Sequence, residues 1–264
     1  MAKPYPALTI AAVLGAPAGD SPRLQEWSNR VQRQFDIRAL QTGIADIERA
    51  VTEVSGYVAA LLEERQRQPR DDLASALLAA EDDGERLSHG ECVNLVVNVL
   101  AGAIDTTQSQ LAHALRLFAA HPAQWERLGA DPGLAGRAVQ EVLRFEPITP
   151  FTARICTEEI THRGVTFPAG TILAVCAERA NREDDGEEFD ILTERDSRLL
   201  TFGAGAHFCL GANLARCELE EALAFLAPRM PGLALDGDPE LGGVEGIYGI
   251  EKLPLRWAAP APGH

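Results

Sequence analysis

The sequence predicts a mainly α-helical fold with small β-sheets, on three observations. Apolar residues recur at helical spacing through residues 43–68, a Ser-x-x-Glu pattern at Ser88 and Glu91 opens a long helical run, and β-branched alternation is confined to a short segment at residues 164–176. The 264 residues, 46% of them hydrophobic, suffice for a large core. A formal net charge of −15 argues against nucleic acid as a partner, because phosphate binding requires a basic surface. No membrane segment is expected, since "VNLVVNVLAGAI" is short and interrupted by Asn94 and Asn98, with Asp105 directly after it. The early residues lack the pattern of a secretory leader, so a cytoplasmic location is expected.

Taken in order, Ile44, Ile47, Val51, Val54, Val58, Leu61 and Leu62 form one helical stripe that Pro69 stops. "DDLASALLAAEDDGE" reads as a shorter helix with Gly84 after it. The capping box at "SHGE" starts a helix that runs to Ala120, where His121-Pro122 ends it. "PAQWERL" and "LAGRAVQEVLRF" are two further helices. "GVTFPAGTILAVC" reads as a β-hairpin around Pro168-Ala169-Gly170. An acidic, irregular stretch from Asn181 to Ser197 leads to a glycine-rich loop, then a helix from Ala212 to Ala227, then turns and short strands.

The five cysteines, Cys92, Cys156, Cys176, Cys209 and Cys217, are odd in number and contain no C-x-x-C, so neither a disulfide framework nor a structural zinc site is indicated. Most read as small buried hydrophobes. Cys209 differs, because "FGAGAHFCLG" frames it with glycines just ahead of a helix. A dinucleotide fingerprint would need glycine where Phe208 stands, and a phosphate loop would need a lysine after its last glycine. A thiol paired with His207, two residues away, and a buried cysteine in a turn both remain readings of the loop alone. A third reading is metal ligation. A cysteine at a helix start is favoured as thiolate, and glycines let the backbone lie close to a flat, bulky ligand.

With this loop the sequence resembles the cytochrome P450 family of heme-thiolate monooxygenases. Three further motifs agree in order. "GAIDTT" at residues 102–107 resembles the oxygen-activating segment, although a helical Thr can also simply bond back to a carbonyl one turn earlier. "EVLR" places Glu141 and Arg144 at i, i+3, resembling the family's buried structural pair, with Arg195 as a further partner. Arg154 in "FTARIC" resembles its heme-propionate arginine.

The resemblance implies one P450-fold domain over residues 1–264, lacking the family's N-terminal third. It implies heme b (iron protoporphyrin IX) with Cys209 as iron ligand, and Phe202, Gly203, Gly205, Gly211, His207 and Arg154 around the cofactor. Asp105 and Thr106 are implied as the acid and alcohol that relay protons, with O2, a small organic substrate and a ferredoxin or flavoprotein-type electron donor as partners. A second expectation is a non-catalytic relic that serves as a partner-binding scaffold. Either way, apolar surface and strand edges left without the missing third are expected to self-associate or seek a partner.

Overall fold

The computed structural model describes residues 3–82, 85–183, 186–195, 199–242 and 247–259. The chain gathers into two compact units, the first running to Ala112 and taking in Ile247, the second running from His113 and including Tyr248.

The first unit is helical. Helix α1 (Pro4–Leu14) starts with Pro4 at its first turn, where the missing N–H costs nothing, and ends at Gly15 in the left-handed conformation. Helix α2 (Ser21–Gln32) packs on α1 and on α3 (Ile37–Arg67), whose Ile47, Val54, Val58, Leu61 and Leu62 are buried as the stripe predicts, whereas Ile44 and Val51 of the same stripe are exposed. Helix α4 (Leu73–Ala79) is capped by Asp72, whose Oδ1 accepts from the Ser75 N–H at 2.8 Å. Buried Arg65 on α3 donates to the other Asp72 oxygen and to the Gly15 carbonyl.

The helix expected to run up to Gly84 stops at Ala79. Ala80 is extended, and β1 (Glu81–Asp82) pairs antiparallel with β2 (Glu85–Arg86) instead. The acidic run would place negative charge at the helix's negative end, so ending the helix before it is favourable. Gly84 lies outside the described residues. Helix α5 (His89–Ala120) opens as predicted: the Ser88 N–H donates to Glu91 Oε2 at 2.8 Å, and the Glu91 N–H to Ser88 Oγ at 3.2 Å. Its residues to Ala112 belong to the first unit, where Cys92, Val96, Leu100 and Ile104 are buried.

In the second unit, α6 (Pro122–Ala130) and α7 (Ala135–Phe145) follow the end of α5. Phe118, Trp125 and Phe189 cluster with ring centroids 5.1 and 5.4 Å apart, and the Trp125 indole N–H reaches the Met230 carbonyl at 2.8 Å. The hairpin expected within residues 164–176 is divided between two sheets. Strand β3 (Phe151–Ile155) pairs with β6 (Ile172–Cys176), and β4 (Ile160–His162) with β5 (Val165–Phe167). Arg163 and Gly164, at φ 48° and 80°, make a two-residue turn that captures β5 for the nearer partner β4. The turn at Pro168 does form, but it only joins the two sheets. Helix α8 (Ala177–Arg182) stands at the head of the stretch expected to be irregular, and α9 (Ala212–Leu226) follows the cysteine loop. Two small antiparallel pairs complete the unit, β7 (Ala234–Leu235) with β10 (Leu255–Arg256), and β8 (Glu240–Leu241) with β9 (Ile250–Lys252). Among the described residues, no helix is long and apolar enough to cross a membrane.

Candidate functional site

The cysteine loop is built on buried anchors of the second unit. Asn181 on α8, only 2% exposed, accepts from the Leu200 N–H through Oδ1 at 2.8 Å and donates from Nδ2 to Thr201 Oγ1 at 2.9 Å. Thr201 Oγ1 in turn donates to the Leu143 carbonyl of α7 at 2.6 Å. One amide and one hydroxyl thus tie the start of the loop to two helices. The sequence reading missed Asn181, because its role rests on contacts distant in the chain.

Beyond the anchors the backbone reverses twice. Gly203 and Gly205 have φ of 75° and 73°, a left-handed conformation in which a side chain would be strained. The Cys209 N–H donates to the Phe202 carbonyl at 2.9 Å, and the Cys209 carbonyl accepts from Ala212 at the first turn of α9. The Phe202 and Phe208 rings meet at 6.3 Å, and the Arg216 guanidinium lies 4.6 Å from the Phe202 centroid.

Cys209 is a free, exposed thiol, whereas Cys92 and Cys156 are buried as expected. Cys176 is half-buried and Cys217 exposed. Phe208 is also exposed, and Leu210 is 77% exposed. A side chain at Gly205 or Gly211 would meet no atom within 4 Å. The loop therefore offers a soft ligand atom, open backbone and apolar side chains on one segment. Those are the properties a flat apolar macrocycle with a thiolate-seeking metal requires, and the residues present fit heme. Of the two expected partners for its carboxylates, His207 sits in a short helical turn of the loop, Gly205–His207, and Arg154 on β3. Both are exposed, and Arg154 Nη1 donates to the Ala153 carbonyl at 2.9 Å.

The pair in "EVLR" is structural, as expected. Arg144 forms a bidentate bridge to Glu141, at 2.7 Å from Nε and 2.9 Å from Nη2, with both side chains buried. Arg144 also donates to the Gly186 and Glu188 carbonyls, and Arg195 Nε lies 3.3 Å from Glu141 Oε2. This cluster fixes the segment at residues 186–190 on α7.

Asp105 and Thr106 belong to the first unit. The Thr106 hydroxyl donates to the Gly102 carbonyl, the back-bond that the sequence left open. Asp105 accepts from Gln25 Nε2 at 3.0 Å and from Ser28 Oγ at 3.4 Å, both on α2. Burial pushes its carboxyl up to about 6, against the hydrogen bonds of Ser28 and Gln25 and the charge of Lys3.

A model of the cytochrome P450 family matches residues 26–131 and 134–226. Luteothin monooxygenase of Streptomyces thioluteus is 37% identical over 261 residues, covering 97% of this chain and 64% of that protein. The cytochrome P450 monooxygenase PikC of Streptomyces venezuelae is 35% identical over 266 residues, covering 97% of this chain and 62% of its own length. The chain thus spans less than two thirds of the curated relatives it matches. The solved structure of the open cytochrome P450 EryK from S. erythraea superposes with a TM-score of 0.88 at 34% identity, over 100% of this chain and 69% of that one.

Proposed function

Because the chain belongs to the cytochrome P450 family, we propose that it is a heme-dependent monooxygenase, or the heme-bearing part of one, with Cys209 as thiolate ligand of heme b. Both units are read as parts of one such domain. When bound, the heme supplies oxygen activation: with two electrons and two protons, one atom of O2 enters a small organic substrate and the other leaves as water.

The chain's own residues do the holding and the proton handling. Cys209 presents its thiolate from a loop that Asn181 and Thr201 keep in place. Phe202, Gly203, Gly205 and Gly211 shape that loop so the backbone can lie against the ring. Arg154 and His207 would hold the heme carboxylates by donating to them. Asp105, whose carboxyl is pushed up to about 6 by burial, can both release and recover a proton close to neutrality, and Thr106 next to it in the chain offers the hydroxyl through which that proton moves. Electrons come from a ferredoxin or flavoprotein-type donor, in the cytoplasm. A purely scaffolding protein would have no physical use for this set of groups.

The observation that carries this reading is the exposed Cys209 thiol in its glycine-framed loop ahead of α9. The test is optical. Reduced, heme-loaded protein treated with carbon monoxide is expected to show the strongly red-shifted band of thiolate ligation. Cys209→Ala should abolish that band and Cys217→Ala should leave it. An unchanged spectrum in Cys209→Ala would refute the assignment.

A further inference from the structure

Helix α2 carries a polar seam against α5 within the first unit. Gln25, Ser28 and Asn29 stand at i, i+3 and i+4, so one face of α2 presents all three. Besides its bond to Asp105, Gln25 Nε2 reaches Asn29 Oδ1 at 2.9 Å. With its amide turned, the Asn29 nitrogen takes the place of that oxygen, gives up the bond from Gln25 and lies 3.1 Å from Asp105 Oδ2. One turn along α2, Gln32 donates to the Ala101 carbonyl, which at 3.3 Å is the alternative acceptor for the single Ser28 hydroxyl proton. With Thr106 on Gly102, two successive carbonyls of α5 therefore accept side-chain donors just ahead of Asp105. A core built for stability alone would place apolar side chains here. Four polar residues on one helix face, of which Ser28 is buried, converge on a single carboxylate and the backbone beside it and serve that carboxylate.

We propose that Gln25, Ser28 and Asn29 are positioning residues for Asp105, fixing where its carboxylate points and supplying the hydrogen bonds its charged form needs. The inference rests on the reading of Asp105 as a proton relay and names the groups that prepare it. All three donors are neutral, so they support the carboxylate without locking it in an ion pair, and the acid stays able to titrate. Lys3 is the charged group that acts on Asp105 through space. The seam also grades outward, from buried Ser28 through half-buried Gln25 to exposed Asn29. Asp105 thereby meets the surface through polar side chains.

The test is the titration of the Asp105 carboxyl carbon by NMR in the full chain, with the resonance identified by its loss in Asp105→Asn. Ser28→Ala and Gln25→Met are each expected to move the midpoint upward, the double variant by about one pH unit or more. Asn29→Ala should move it in the same direction, and Ser28→Thr, which keeps the hydroxyl, should leave it in place. A purely structural role would lower thermal stability without moving the midpoint. An unmoved midpoint in the double variant overturns the proposal, and if Ser28→Ala fails to fold, Gln25→Met decides alone. The relay reading is judged separately, by peroxide released per electron consumed in heme-loaded Asp105→Asn. An unaltered ratio there would retire the relay while the titration still decides what positions the carboxylate.

Discussion

At the scale of single residues, the most informative groups are those whose setting contradicts their chemistry. Glu218 is a carboxylate buried in α9, and burial pushes it up to about 7. Its ordinary value is 4.5, so the unfolded chain releases this proton first as the pH rises. Stability from this group is therefore whole below about pH 4.5 and lost as the pH climbs toward 7, a loss on the order of 3 kcal/mol at pH 8. Glu218→Gln should be more stable than the parent at pH 8, by on the order of 2–3 kcal/mol, and no more stable at pH 4.5. Urea unfolding at the two pH values reads the difference, and an equal effect at both would show that Glu218 does not titrate as its burial demands. Residues of this kind differ in how far the sequence announces them. Cys209 was legible because glycines and a following helix surround it in the chain itself. Asn181 was not, because the Leu200 N–H, Thr201 and Leu143 that give it a purpose meet it only in the fold.

At the scale of elements, legibility follows how local the deciding interaction is. Helix α5 was read from its capping box, which is complete within four residues. Helix α2 was not, since its inner face mixes Leu24, Trp27 and Val31 with Gln25, Ser28 and Gln32 and so dilutes the apolar stripe. The strands within residues 164–176 were placed correctly but paired wrongly, because the Arg163–Gly164 turn at the edge of that segment gives β5 a partner, β4, that lies outside it. The result is a two-stranded β3–β6 sheet in which Ile155 faces Ile172 directly, at 65% and 71% exposure, with Phe151 on the same side. Exposed apolar pairs on a narrow sheet favour association. The chain is expected to elute larger than a monomer in size-exclusion chromatography, and Ile172→Lys to shift it toward the monomer. Monomeric behaviour of the parent across concentration would show that this face is satisfied within the chain.

At the scale of the whole molecule, the family was legible because its motifs are spread along the chain. The loop at Cys209, the Glu141–Arg144 pair and the Asp105-Thr106 dipeptide lie in separate elements, yet each is short and chemically demanding. The division into two units was not legible, since it depends on packing rather than on any linker composition. What joins these motifs into one account is the claim that the chain holds heme iron through the sulfur of Cys209. X-ray absorption at the iron edge of heme-loaded protein tests that claim most directly. One sulfur scatterer bound to iron is expected in the parent and in Cys217→Ala, and none in Cys209→Ala. A parent whose iron has only nitrogen and oxygen neighbours, or a Cys209→Ala variant that keeps its sulfur, would contradict it.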